Sequence, residues 1–148
     1  MAEFEFVALA CIKQQELGRD EIIIEYAGKQ VFPAPGNHMK FDRGTVLVNE
    51  GSTAEMAKLR PLLTAAGAVR VHDYPGVENF LRCPVPVTGL AIRVVEQDWP
   101  MSRNDIIGNL LISGVDTLGV RTAELTGAGA HYRLHYRVVD ATMLPKIS

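Results

Sequence analysis

Five acids gather in two short stretches of this chain. Glu16 and Asp20 flank Gly18 in the polar run 13–21, while Glu96, Asp98 and Asp105 lie within the run 96–105. Side chains alternate with period two along a strand, so carboxylates two apart at a strand end point the same way. Glu96 and Asp98 therefore face one point, and Asp105 closes on it from the far arm of the loop. Calcium is held by roughly six to eight oxygens drawn from carboxylates, carbonyls and water. Converging acids of this kind, Glu16, Asp20, Glu96, Asp98 and Asp105, suggest a calcium site. The competing reading makes them solvated loop acids that cap and form turns.

Trp99-Pro100-Met101 follows directly on Asp98, at the expected loop tip. An exposed tryptophan there suits a membrane interface, where its amphipathic ring is favoured. It equally suits a protein interface, where tryptophan is a frequent hot spot. The bland alternative is a ring folded back and buried.

The stretch Glu96-x-Asp98 followed by Ser102-Arg103-Asn104-Asp105-Ile106-Ile107-Gly108 resembles the third loop of the C-two domain, the calcium- and phospholipid-binding module of protein kinase C type. Glu16, Gly18 and Asp20 resemble its first loop. The resemblance implies an antiparallel β-sandwich of about eight strands in the permuted topology, with loops 13–21 and 96–105 at the same end. It also implies a non-catalytic, calcium-responsive module that docks on a membrane or protein surface through that end. The second function class is a metal-free structural subunit, a homo-oligomer or larger protein assembly built on the same sandwich.

An enzyme is not expected. The chain has no Gly-x-Ser-x-Gly elbow, no His-Glu-x-x-His and no Walker glycine loop. His131 and His135 are four apart on an expected strand, about 13 Å, too far to share a metal. His38 and His72 have no nearby partner in sequence. Arg133 and Arg137, with His135 between them, form a basic stripe that is read either as a contact for an anionic head group or as a solvated sheet face.

The elements that must position these residues are mostly strands. Phe4, Phe6, Ala8, Ala10 and Ile12 alternate with Glu5, Val7, Leu9 and Cys11, which predicts a first strand with Phe4 through Ile12 on its strongly buried face and a second face that becomes apolar. Ile22–Ala27, Gln30–Phe32, Gly44–Asn49, Ala68–His72 and Leu90–Val95 read as further strands. Gly108 reads as a tight backbone bend after Ile106 and Ile107 return to the core. The segments 118–125 and 132–138 close the set, the latter with Tyr132, Leu134, Tyr136 and Val138 on one face. Pro84-Val85-Pro86-Val87 belongs at a sheet edge or in a linker, because proline cannot donate to a ladder. Ser52-Thr53-Ala54-Glu55 reads as a capping box opening a short helical insertion over 53–66, with Pro61 marking a break or a fresh first turn. Its expected role is a lid over one end of the sandwich or, alternatively, a partner-binding helix.

The length of 148 residues fits one domain, 1–148, with a real core. A net charge of −2 and the lack of like-charge blocks give no reason to expect nucleic-acid binding. The N-terminus carries Glu3 and Glu5 and no basic region, so no signal peptide is read and a soluble cytoplasmic protein is expected, with leaderless export the alternative. Cys11 and Cys83 lack metal-type spacing and are read as two buried thiols.

Overall fold

The computed structural model describes residues 2–15, 18–52, 54–97, 104–113 and 119–140. Within these, two β-sheets pack face to face around a shared apolar core. The first sheet contains β1 (Ala2–Lys13), β5 (Thr45–Val48), β6 (Gly67–Arg70), β7 (Arg82–Pro84), β10 (Val120–Leu125) and β11 (His131–Asp140). Its order is β10-β11-β1-β5-β6, with β7 also paired to β1. The second contains β2 (Asp20–Tyr26), β3 (Lys29–Phe32), β4 (Met39–Phe41), β8 (Leu90–Glu96) and β9 (Asp105–Ile112). Its order is β3-β2-β8-β9, with β4 also paired to β2.

The sandwich is as expected, but it has eleven strands rather than eight. Two of the extra ones, β4 and β7, are three residues long. Such pieces are too short to show a period in sequence. The segment around Pro84 does lie beside a strand: Arg82–Pro84 pairs with Glu3–Glu5, and the Val85 amide donates to the Ala2 carbonyl at 2.9 Å.

β1 departs from simple alternation. Phe6 pairs with Tyr136 and Ala8 with His135, leaving Val7 as an extra residue in a β-bulge. A bulge puts two residues of one strand opposite one of its partner, which shifts the alternation that follows. Phe4 and Phe6 therefore face the inter-sheet core, and beyond the bulge Leu9 and Cys11 do so in place of Ala8 and Ala10. Val7, Ala8 and Ala10 instead join a second apolar cluster on the outer face, together with Val46, Val48, Ala54 and Leu59. Ile12 is 36 % exposed, not buried.

That outer cluster explains the insertion. The helix α1 (Met56–Leu63) lies between β5 and β6, which run parallel, so the three form a β-α-β crossover. Parallel neighbours need such a crossover, usually a helix laid on the sheet face. Leu59 is buried among Val7, Val46 and Val48, so the helix covers the outer face of the first sheet rather than one end of the sandwich. It runs through Pro61 and stops two residues later.

The capping box does not form. The residue at the N-cap is Glu55, with no side-chain cap bond, and Ser52 is buried three residues earlier. Its hydroxyl donates to Glu5 Oε1 at 2.6 Å and accepts the Ala54 amide at 3.2 Å. A buried acid elsewhere in the fold claimed the serine.

The main core is aromatic. Phe80, on the one-turn helix α2 (Glu78–Leu81), packs against Phe6 and Phe32 with ring centroids 4.5 and 4.7 Å away. Phe41 meets Tyr132 edge-on at 5.7 Å. β11 keeps the predicted alternation, with Tyr132, Leu134, Tyr136 and Val138 buried. Gly108 acts through space rather than through a bend: a Cβ there would come within 2.7 Å of three side-chain carbons of Leu125. Cys11 and Cys83 are free thiols, Cys11 buried and Cys83 half-buried. No helix among the described residues is long and apolar enough to cross a membrane.

Candidate functional site

The loop after β1 and the loop after β8 do meet at one end of the sandwich. The Gln97 amide donates to the Glu21 carbonyl at 2.8 Å, and Gln15 Nε2 donates to Asp105 Oδ2 at 2.5 Å. Register places the acids. Glu96 sits opposite both Ile22 and Asp105, and Asp20 is two residues before Ile22 on the same strand. Residues opposite each other in a ladder, or two apart along it, share a face. Asp20, Glu96 and Asp105 thus lie on the inner face of the second sheet, at its loop end. A register shift between Val94 and Val95 leaves Ile107 of β9 as an extra residue, while β8 keeps its alternation against β2.

Their surroundings differ. Asp20 is fully buried. The Gln15 amide donates to its Oδ1 and Oδ2 at 3.0 and 2.9 Å, and the Tyr132 hydroxyl donates to Oδ2 at 2.7 Å from the opposite sheet. Burial, reinforced by the bond to Asp20, pushes the Tyr132 phenol far above its usual range, so it remains a donor. Burial likewise pushes the neighbouring Cys11 thiol up to about 11, which removes it as a nucleophile at neutral pH. Glu96 is 2 % exposed and its Oε1 accepts the Glu21 amide at a long 3.4 Å. Asp105 is half-buried. Gln15 holds Asp20 with its backbone and Asp105 with its side chain, and its own Oε1 is buried without a hydrogen-bond partner.

No lysine, arginine or histidine among the described residues pairs with Asp20 or Asp105. Among the described residues, no three His, Cys, Asp or Glu side chains are grouped as a ready metal-ligand set. The test of fit is therefore divided. Asp105 and the orphaned amide oxygen of Gln15 are oxygen donors of the type a hard cation takes. Asp20 faces inward and anchors the loop from beneath. Glu16, Asp98, Trp99, Pro100 and Met101 lie outside the described residues.

Sequence reasoning missed Gln15 and Tyr132. Gln15 is one of two adjacent glutamines in a polar run, and nothing marks which would bridge the acids. Tyr132 was legible as an inward residue of β11, but its partner is 112 positions away in the chain.

The basic stripe on β11 is internally neutralised. Arg133 Nε donates to Glu124 Oε1 at 2.7 Å, and Arg137 Nε to Glu5 Oε1 at 3.1 Å. His131 Nε2 is 2.8 Å from Glu124 Oε2. These pairs support the solvated-face reading over a head-group contact.

The chain matches no protein-family model, and no curated protein matches it.

Proposed function

We propose that this chain is a non-catalytic binding module that docks through its loop end and responds to calcium there. One observation carries the reading: acids from two loops share one face at one end, joined by Gln15, whose amide oxygen is buried without a partner. Carboxylates and a bare amide oxygen, side by side, are stabilised by a cation that supplies positive charge. This reading assigns Asp105, Gln15, Glu96 and Asp98 as oxygen donors. Asp20 positions Gln15, and Glu16 is an accessory acid. The C-two resemblance supports the same reading, and a membrane or protein surface is then met by Trp99, Pro100 and Met101.

A second reading is a metal-free structural subunit of a larger assembly. It is favoured by the hydrogen bonds to Asp20, which tie the loop after β1 to β11 with neutral donors alone.

Thermal melts in calcium and in chelator separate the two. An ion bound only by the folded state at a hundred times its dissociation constant adds about 2.7 kcal/mol. Calcium is expected to raise the Tm, and Asp105→Asn and Asp98→Asn each to remove most of the rise. Magnesium substitutes poorly, because it demands a tighter octahedral shell. Vesicle co-sedimentation and oligomer size, each with calcium and with chelator, then identify the surface. A melt unmoved by millimolar calcium overturns the calcium reading. Chelator-insensitive assembly without lipid binding favours the structural subunit.

A further inference from the structure

A groove of about 290 Å³ runs between α1 and the outer face of the first sheet. Val7, Leu59, Leu62 and Val120 supply its apolar lining, and Lys58, Thr122 and His135 its polar groups. It exists because of two features already described. The β1 bulge turns Ala8 outward beside Val7, and the parallel β5–β6 crossover lays α1 over that face. Leu62 of the helix and Val120 of β10 both line the space between them.

Its polar groups are selective. Burial, and after it the nearby Arg133, lower the His135 pKa, so the imidazole is neutral at pH 7 and its Nδ1 lies 3.2 Å from the Thr122 hydroxyl. The arginines on the same face are occupied by Glu124 and Glu5. Among the described residues, Lys58 is the one charged lining group, and its pair with Glu55, at 3.0 Å, is more than half exposed on both sides. An exposed i,i+3 pair is weak, and a lysine ammonium on its flexible stem re-aims readily. The site is thus an apolar slot with one cation at its mouth and neutral hydrogen-bonding groups beside it.

We propose that this groove binds a small amphipathic monocarboxylate, an aliphatic acid of medium chain length, with its tail against Val7, Leu59, Leu62 and Val120 and its carboxylate on Lys58. The volume equals that of about ten liquid waters, which limits the tail to a single short chain. The proposal does not depend on the loop-end reading, since the groove lies on the other sheet.

Titration calorimetry and amide chemical-shift mapping with octanoate below its micelle concentration test it, with octan-1-ol and octylamine as matched arms. Octanoate is expected to bind with shifts confined to α1, β10, β11 and the part of β1 around Val7, and the alcohol and amine to bind at least about fivefold more weakly. Lys58→Glu, on the exposed side of the helix, is expected to weaken octanoate about fivefold or more while leaving the melting curve in place. Leu62→Trp, which fills the slot from a half-buried position, is expected to abolish binding. Equal binding of octanol and octanoate, an unaffected Lys58→Glu variant, or no binding at millimolar octanoate would each overturn the proposal. A change in oligomer size with Leu62→Trp and no octanoate binding in the wild type would make the groove a protein contact instead.

Discussion

Glu5 and Asp20 are both carboxylates withdrawn from water, and the molecule stabilises them by opposite means. Glu5, on the outer face of β1, is 4 % exposed and accepts hydrogen bonds from Arg82, Arg137 and Ser52. Two guanidinium groups there compensate one carboxylate. Asp20, on the inner face of β2, is fully buried and accepts hydrogen bonds only from neutral donors, the Gln15 amide and the Tyr132 hydroxyl. Charge-assisted bonds to arginine are the stronger kind. The Glu5 cluster therefore reads as a finished structural device, tying β1, β7 and β11 to the turn at Ser52. Among the described residues Asp20 has no cationic partner, and in the proposed reading a cation acts at this end.

The largest test of this contrast is Glu5→Gln. It removes the anion that Arg82 and Arg137 share, with Glu3 still 3.6 Å from Arg82, and breaking a buried pair in this way costs about 3 kcal/mol in urea unfolding. Replacing Glu5, Arg82 and Arg137 together by apolar residues of similar volume is expected to recover most of the loss, since no buried charge is then stranded. The same cluster has a pH signature. Burial alone would raise the Glu5 pKa, but the bonds from Ser52, Arg137 and Arg82 outweigh it and hold the acid below its ordinary 4.5. A folded pKa below the unfolded one means the stabilisation is complete above the ordinary value. It is lost as pH falls through the folded value. Urea midpoints followed into acid should therefore fall more steeply for the wild type than for Glu5→Gln, the two curves converging. Parallel curves would remove Glu5 from the account of acid sensitivity.

Tyr132→Phe comes next. It deletes one donor to a buried carboxylate and is expected to cost about 1–2 kcal/mol. Asp20→Asn keeps the shape but turns an amide donor toward Tyr132 or Gln15, with a loss of similar size. A double-mutant cycle between these two positions should show coupling, whereas Asp20→Asn with Glu5→Gln should be additive. If Asp20→Asn cost as much as Glu5→Gln, the distinction between charge-compensated and neutral networks would fail. Ser52→Ala is smaller, about 1 kcal/mol, as expected for one donor among five bonds to Glu5. Glu55→Ala should change stability by less than that, because Glu55 makes no capping bond. The reverse order would restore the capping-box reading. Asp105→Asn without calcium is the smallest, within about 0.5 kcal/mol, because the side chain is only half-buried and Asn keeps an oxygen to accept the Gln15 bond.

Much of the fold follows from local pattern. The strict alternation of 132–138 fixed which residues of β11 face inward, because side-chain direction on a strand has period two. Branched apolar runs at 22–26 and 90–95 marked the two strands whose loop ends carry the acids, while the placement of both loops at one end was expected from the C-two resemblance and not from local pattern. Other features depended on residues far apart in the chain. The bulge at Val7 is set by pairing with Tyr136 and His135, and it reversed the expected facing of Ala8 and Ala10. The parallel β5–β6 pair, and with it the placement of α1, depends on a crossover that periodicity does not encode. Ser52 and Asp20 were read from neighbours in sequence, as an N-cap and an open ligand. In the folded chain Ser52 donates to Glu5, 47 positions away, and Asp20 accepts from Tyr132, 112 positions away. Local alternation is a property of a few consecutive backbones, so the sequence carries it alone. The fate of a buried acid depends on which donors arrive from other strands, and only the tertiary structure decides that.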